Sequence, residues 1–305
     1  LSVIGAIDIG GTKIAIGLVT VSGTCLRNSE IATNPSAGFD DAMLRISTVL
    51  KKLADEEDAS LVGIGVACPG PLDPFTGVIE DVGTLPTWQG GNLMESLGSQ
   101  FGVPIAVEND ADAAVLAEAN VGDAQHSNRF IYLTISTGIG GGILLDRKLY
   151  RGARGAHPEL GHIIIDATNG PLCYCRAYGC WEVLASGPAI TAWFQSQQTT
   201  PTSITTAEIG RLAEQGDALA LNAMDRLGYY LGLGLSNIIT AFTPDTIVLG
   251  GGVMKSHPLF LPRALAVVDE VCTQVPVKNT QIKVASAHSQ AGLLGAAQAW
   301  LSRYR

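Results

Sequence analysis

The chain has 305 residues, 47% of them hydrophobic and 15% charged, with 36 glycines and a formal net charge of −9. This length accommodates two domains, and the composition predicts a well-packed core with many tight turns and no disordered tail. The acidic balance offers no basic face for a phosphate backbone, which excludes nucleic acid as the main partner.

The opening segment predicts strands. Val3 to Asp8 is apolar, turns at Gly10-Gly11 and continues as Lys13 to Thr20; after the Ser22-Gly23 turn a further strand covers about Cys25 to Ala32. A strand after the glycines, rather than a helix, excludes a P-loop. Apolar positions at Ala42, Met43, Ile46, Val49, Leu50 and Leu53 predict a helix over about Phe39 to Glu56. A buried strand from Leu61 to Ala67 leads into the loop Cys68-Pro-Gly-Pro-Leu-Asp73. A further helix and the strand Ile105 to Glu108 complete a first domain near residue 110.

A second run of the same kind begins at Phe130 to Ser136, turns through glycines, and continues from Gly142 to Asp146. The repeat of a glycine-rich hairpin after a first strand predicts two α/β domains facing across a cleft. The first covers residues 1–110 and is completed by a C-terminal helix at about 290–305; the second covers 111–289. Helices are expected from about Thr206 to Phe242, then the strand Thr246 to Leu249 and the triplet Gly250-Gly251-Gly252. Leu227 to Pro244 carries no charge over 18 residues, yet Ser236, Asn237, Thr240, Thr243 and its glycines predict a buried helix rather than a membrane span. The sequence opens without a basic n-region or cleavage site, so a cytoplasmic protein is expected.

Three glycine-rich turns follow strands: Asp8 to Lys13, Ser136 to Gly141, and Gly250 to Gly252. Glycine lets backbone N–H groups approach an anion, and the hydroxyls of Thr12 and Thr137 add donors. Asp8 beside such a cradle suits a hydrated magnesium ion. Glu108-Asn109-Asp110-Ala-Asp112 falls where a strand ends and a helix starts. Its residues fit helix capping or a catalytic role, with Asp110 taking a proton from a hydroxyl and Asn109 orienting the same substrate.

Three of the six cysteines lie within eight residues, at Cys173, Cys175 and Cys180, with His162 upstream. One nitrogen and three sulfurs form a tetrahedral donor set that favours structural zinc over iron. Cys25, Cys68 and Cys272 are scattered and are expected to be buried free thiols. Glu159 and Glu182 bracket the metal segment. His157 is open to a ligand, pocket or surface role.

Taken in order, Asp8-Ile-Gly-Gly-Thr-Lys13, Pro69-Gly-Pro71, Glu108-Asn-Asp-Ala111, Ser136-Thr-Gly-Ile-Gly-Gly141, Glu159-Leu-Gly-His162, the Cys173 to Glu182 segment and Leu249-Gly-Gly-Gly252 resemble the ROK family of sugar kinases. The resemblance covers nearly the whole chain. It implies two actin-like (ribonuclease H-like) ATPase domains, Mg·ATP as donor and transfer of the γ-phosphate to the 6-hydroxyl of a hexose. Asp110 matches the family's general base. Asn109, Glu159, His162 and Glu182 match its sugar contacts, and His162, Cys173, Cys175 and Cys180 its zinc ligands. Asp8, Gly10, Gly11, Thr12, Lys13, Thr137 and Gly138 match the phosphate loops, with Gly250 and Gly251 near adenosine. A homodimer is implied as well.

Glucose is the expected sugar, with fructose or an N-acylated hexosamine as alternatives. Three departures from the family pattern stand out, the first bearing on the turn of the metal loop and the other two on the sugar. Arg176 stands where the family has glycine, Pro158 precedes the motif glutamate with His157 before it, as in fructokinase members, and Thr84 stands where hexose-specific members carry asparagine. Some ROK proteins are sugar-responsive transcriptional regulators with an N-terminal helix-turn-helix domain. That reading is disfavoured by the acidic balance and by a sequence that opens on the first strand.

Overall fold

A computed structural model describes residues 1–200, 203–286 and 290–305. Taken along the chain, the first half holds β1 (Ser2–Ile9), β2 (Lys13–Thr20), β3 (Cys25–Ala32), α1 (Phe39–Glu56), β4 (Ser60–Cys68), α2 (Leu93–Phe101), β5 (Ile105–Asn109) and α3 (Asp110–Val121). The second half holds β6 (Phe130–Ile135), β7 (Ile139–Leu145), β8 (Lys148–Leu149), α4 (Glu182–Ala185), α5 (Gly187–Ser196), α6 (Thr206–Glu214), α7 (Ala218–Phe242), β9 (Thr246–Gly250), α8 (Leu261–Val271), β10 (Gln281–Val284) and α9 (Ala291–Tyr304).

The strands form two mixed five-stranded sheets, in the orders β3-β2-β1-β4-β5 and β10-β9-β6-β7-β8. In the first, β2 pairs antiparallel with β1 and β3, while β4 runs parallel to β1 and β5. In the second, β9 runs parallel to β6 and β10. Helices accompany both sheets, and the fold is the actin-like α/β ATPase fold of the ROK kinase structures. The chain divides into two compact units. One comprises residues 1–126, 142–158 and 286–305; the other comprises 127–141 and 159–285.

In the first unit, the period-two pattern of β1 sends Val3, Ile7 and Ile9 into one core, while Ile4 and Ala6 face another. The first core is large. It includes Met43, Ile46 and Leu50 of α1, whose spacing of three and four residues builds one apolar stripe, and Trp88. The second core is built from small residues, Ala67, Ala106 and Ala113, against Leu293, Ala296 and Trp300 of α9. The small residues have a cause. A methyl group on Gly65 would overlap the Ala296 carbonyl, so α9 lies directly on the backbone of β4. Trp300 Nε1 donates to Pro104 O at 3.0 Å and secures the same helix.

In the second unit, α7 buries Leu227, Leu231, Leu235 and Ile238. This is the uncharged segment that the sequence places in a buried helix. Asp217 caps it by accepting from Ala220 N at 2.8 Å. Among the described residues no helix is long and apolar enough to cross a membrane. Gly140 and Gly141, expected in a turn, lie inside β7 instead. Close approach explains Gly141, since a methyl there would collide with Tyr132 O.

Candidate active site and metal centre

In the first unit, register brings the motif residues to one edge. Asp8 pairs with Ala67, Ala67 with Glu108, and Cys68 with Asn109. The C-terminal ends of three neighbouring parallel strands therefore present Asp8, the Cys68-Pro-Gly-Pro loop and Asn109-Asp110 together, where open α/β sheets bind ligands. The turn after β1 is closed by Gly10 N donating to Lys13 O at 2.9 Å. Thr33, just past the end of β3, fastens it, its hydroxyl donating to Gly10 O at 2.6 Å. Lys13 Nζ pairs with Glu30 Oε1 at 2.7 Å, both well exposed.

The capping reading of Asn109 and Asp110 is realised. Both Oδ1 atoms accept from Ala111 N at 2.8 Å. Asn109 is buried and Asp110 is exposed. The Asp110 carboxylate nonetheless sits in a crowded setting, and loss of hydration is the largest influence raising its pKa above the usual carboxylate range. The Ala111 N–H and the charge of His157 pull it down, while Asp112 pushes it up. Asp8 is raised to about 6, chiefly by burial and then by the charge of Asp110, with Lys13 opposing. Gly292 in the first turn of α9 gives the Asp8 carboxylate its room, since a methyl there would collide with Oδ2.

Two further groups support this edge. His157 Nδ1 lies 3.1 Å from Asp112 Oδ1, so this histidine is part of the Asp110 neighbourhood. Glu108 is 1% exposed and meets two guanidinium groups. Arg151 Nη2 makes the tighter contact, Arg151 Nε donates to Oε2 at 3.3 Å, and Arg303 Nη2 stands 3.5 Å from Oε1. Burial raises the Glu108 carboxyl while both arginines draw it down. Sequence reasoning missed these arginines, which come from 43 and 195 positions away.

In the second unit, the turn between β6 and β7 is closed by Ser136 N donating to Gly138 O at 2.8 Å. Ser136 and Thr137 line a cavity of about 490 Å³ with Gly187, Thr206, Gly252 and Lys255. Gly250 ends β9, and Gly251 follows with φ +95°. Of the triplet, Gly252 rather than Gly250 or Gly251 lines the cavity.

His162, Cys173, Cys175 and Cys180 converge, their ligand atoms lying within 4.8 Å of one another. Cys173 Sγ stands 3.5 Å from His162 Nδ1, and Cys175 Sγ 3.5 Å from Cys180 Sγ. Tetrahedral zinc with bonds of about 2.0–2.3 Å places its ligands roughly 3.5–3.8 Å apart, so the donor set and its spacing fit that ion. The Tyr174 hydroxyl lies 2.7 Å from His162 Nε2, which directs Nδ1 toward the sulfurs. Tyr174 stood between the cysteines in the sequence, but nothing there signalled this contact.

The segment turns tightly, with Cys173 N donating to Ala177 O at 2.8 Å. Arg176 adopts φ +73°, the left-handed conformation that glycine favours. Glu159 is exposed at the segment's start, and its carbonyl accepts from His162 N at 3.0 Å. The Tyr174 hydroxyl is pushed up to about 12, by loss of hydration and then by the charges of Glu182 and Glu159. Both carboxylates therefore border the metal segment. Glu182 also accepts from Ile139 N at 2.9 Å.

The ROK family model matches residues 4–303. A glucokinase from Thermotoga maritima is 32% identical over 310 residues, covering 97% of this chain and 96% of the glucokinase. A xylose repressor from Bacillus spizizenii is 34% identical over 257 residues, covering 84% of this chain but 65% of the repressor's length. Among solved structures, a ROK hexokinase from Thermus thermophilus is similar with a TM-score of 0.86 and 33% identity, covering 98% of each chain.

Proposed function

Because this chain belongs to the ROK family, we propose that it is an ATP-dependent hexose kinase that phosphorylates the 6-hydroxyl of its sugar, with glucose as the preferred acceptor. The observation that carries this reading is Asp110, a carboxylate with a raised pKa at the end of a parallel strand, next to Asn109 and near Asp8. Sugar binding alone has no use for a proton acceptor there.

In this reading Asp110 accepts the proton of the 6-hydroxyl as that oxygen attacks the γ-phosphorus, and the bond to the β-phosphate oxygen breaks to release ADP. Asn109 hydrogen-bonds the same sugar, and Glu159, His162 and Glu182 read its other hydroxyls. The turns at Gly10 to Lys13 and at Thr137-Gly138 offer N–H and hydroxyl donors to the phosphates. The cavity beside Thr137 takes the nucleoside, with Gly252 and Lys255 at its wall, and Gly250-Gly251 precede that wall in the chain. Asp8 would hold magnesium, which supplies charge neutralisation on the phosphates. His162, Cys173, Cys175 and Cys180 would hold zinc, which braces the loop and takes no part in transfer.

Similarity to a xylose repressor favours a second reading, a sugar-responsive regulator. That role needs sugar binding without phosphoryl transfer. Incubating the protein with Mg·ATP and a panel of hexoses and N-acylhexosamines, with ADP release coupled to a dehydrogenase, separates the two. The kinase reading predicts sugar-dependent ADP release, greatest with glucose. Sugar binding with no ADP release from any acceptor would favour the regulator.

A further inference from the structure

We infer that Glu182 is a positioning residue for the donor-phosphate turn, so that one carboxylate serves both the sugar side and the nucleotide side of the reaction. The inference rests on the kinase reading above. It comes from a single peptide unit in the second unit of the chain, the one joining Gly138 to Ile139.

Both ends of that peptide are engaged. Its carbonyl, Gly138 O, accepts from Ser136 N at 2.8 Å and closes the turn. Its N–H, on Ile139, donates to Glu182 Oε2 at 2.9 Å. The carboxylate lies so close over the turn that a methyl group on Gly138 would collide with Oε2. A side chain at 138 would therefore displace the Glu182 carboxylate from the turn. A second clamp follows five residues on, where Gly187 N donates to Ser136 O at 2.8 Å.

Glu182 is itself held firmly. Trp181 is fully buried, and its N–H donates to Ile163 O at 2.8 Å. Leu184 N and Ala185 N both donate back to Trp181 O, at 3.1 and 2.9 Å. Thr137, between the two clamped ends, borders the 490 Å³ cavity. A charge-assisted bond to a carboxylate carried on this anchored backbone orients the peptide plane, and with it the direction of the neighbouring N–H donors. Donors aimed in advance cost less ordering when the phosphate binds.

The test is ADP binding by calorimetry in the absence of sugar, on the full chain, with metal content and thermal unfolding as folding controls. Glu182→Ala and Glu182→Asp, the latter too short to span the gap, should each weaken ADP about tenfold. Glu182→Gln keeps an acceptor oxygen and should lose no more than about threefold. Gly138→Ala should also weaken ADP, because it displaces the carboxylate. In the Glu182→Ala background the same change should add little, which a double-mutant cycle detects. A purely sugar-contacting Glu182 predicts unchanged ADP affinity in all three variants, and that result, or tighter binding, overturns the inference. Additive losses from Gly138→Ala and Glu182→Ala overturn it too. If the unaltered chain binds no ADP, the kinase reading falls and takes this inference with it; normal binding by the unaltered chain and its variants alike overturns this inference alone.

Discussion

Glu108 and Arg151 form a buried ion pair directly behind the Asn109-Asp110 step, with Glu108 1% exposed and Arg151 Nε 3.3 Å from its Oε2. Removing one partner of such a pair leaves an uncompensated charge. Arg303 remains nearby at 3.5 Å, so Arg151→Met should cost about 2–3 kcal/mol, less than a wholly isolated charge. The pH dependence has a definite sign. The folded-state pKa of Glu108 is already raised above 4.5, and losing Arg151 raises it further. The folded variant therefore takes up a proton more readily than the unfolded chain, and its stability falls as pH rises through that interval. Urea unfolding should show a penalty that grows as pH rises above 4.5.

In the kinase reading, His157 should act on the acid limb of the rate profile. Its charge lowers the Asp110 pKa, against the burial that raises it. A base works only when ionised, so kcat/KM should fall as pH drops through a value above the ordinary 3.8. His157→Leu removes the opposing charge and should move that limb to higher pH, with the rate at alkaline pH little changed. A pH profile of kcat/KM for both proteins checks the direction.

The metal loop should bind about one zinc per chain, by the four-ligand argument. Cys180→Ser should lose the metal and lower the unfolding temperature, since binding energy at such a site is folding energy. Elemental analysis and a thermal melt read both. A metal-free protein as stable as the loaded one would contradict the assignment.

Gly65 tests the packing of α9. A methyl there overlaps Ala296 O, main chain that cannot swing aside. Gly65→Ala should therefore cost about 2–3 kcal/mol, at the upper end for an overpacked core. Chemical denaturation measures it.

Much of this was legible in the residues. The strands Lys13–Thr20 and Cys25–Ala32 and the helix Phe39–Glu56 fall where alternation and periodicity place them. The four metal-type ligands converge as their spacing suggests. What stayed hidden depends on tertiary approach. Strand Gln281–Val284 is a four-residue edge, too short for a pattern to emerge. Helix Gly187–Ser196 opens on Gly-Pro, which reads as a turn until Ser186 is seen accepting from Ala189 N at 3.3 Å. The arginines on Glu108, the hydroxyl on His162 and the bond from Ile139 to Glu182 join residues that no local signal connects.

The central claim is that Asp110 is the base of a sugar kinase, and one substitution tests it most directly. Asp110→Asn keeps the side-chain oxygen that accepts from Ala111 N at 2.8 Å, so the helix cap and the fold should persist. Sugar binding by calorimetry and ADP release should be measured on the same preparation. The account predicts glucose binding within about threefold of the unaltered protein and a loss of turnover of at least about a hundredfold. Turnover that survives Asp110→Asn would contradict it.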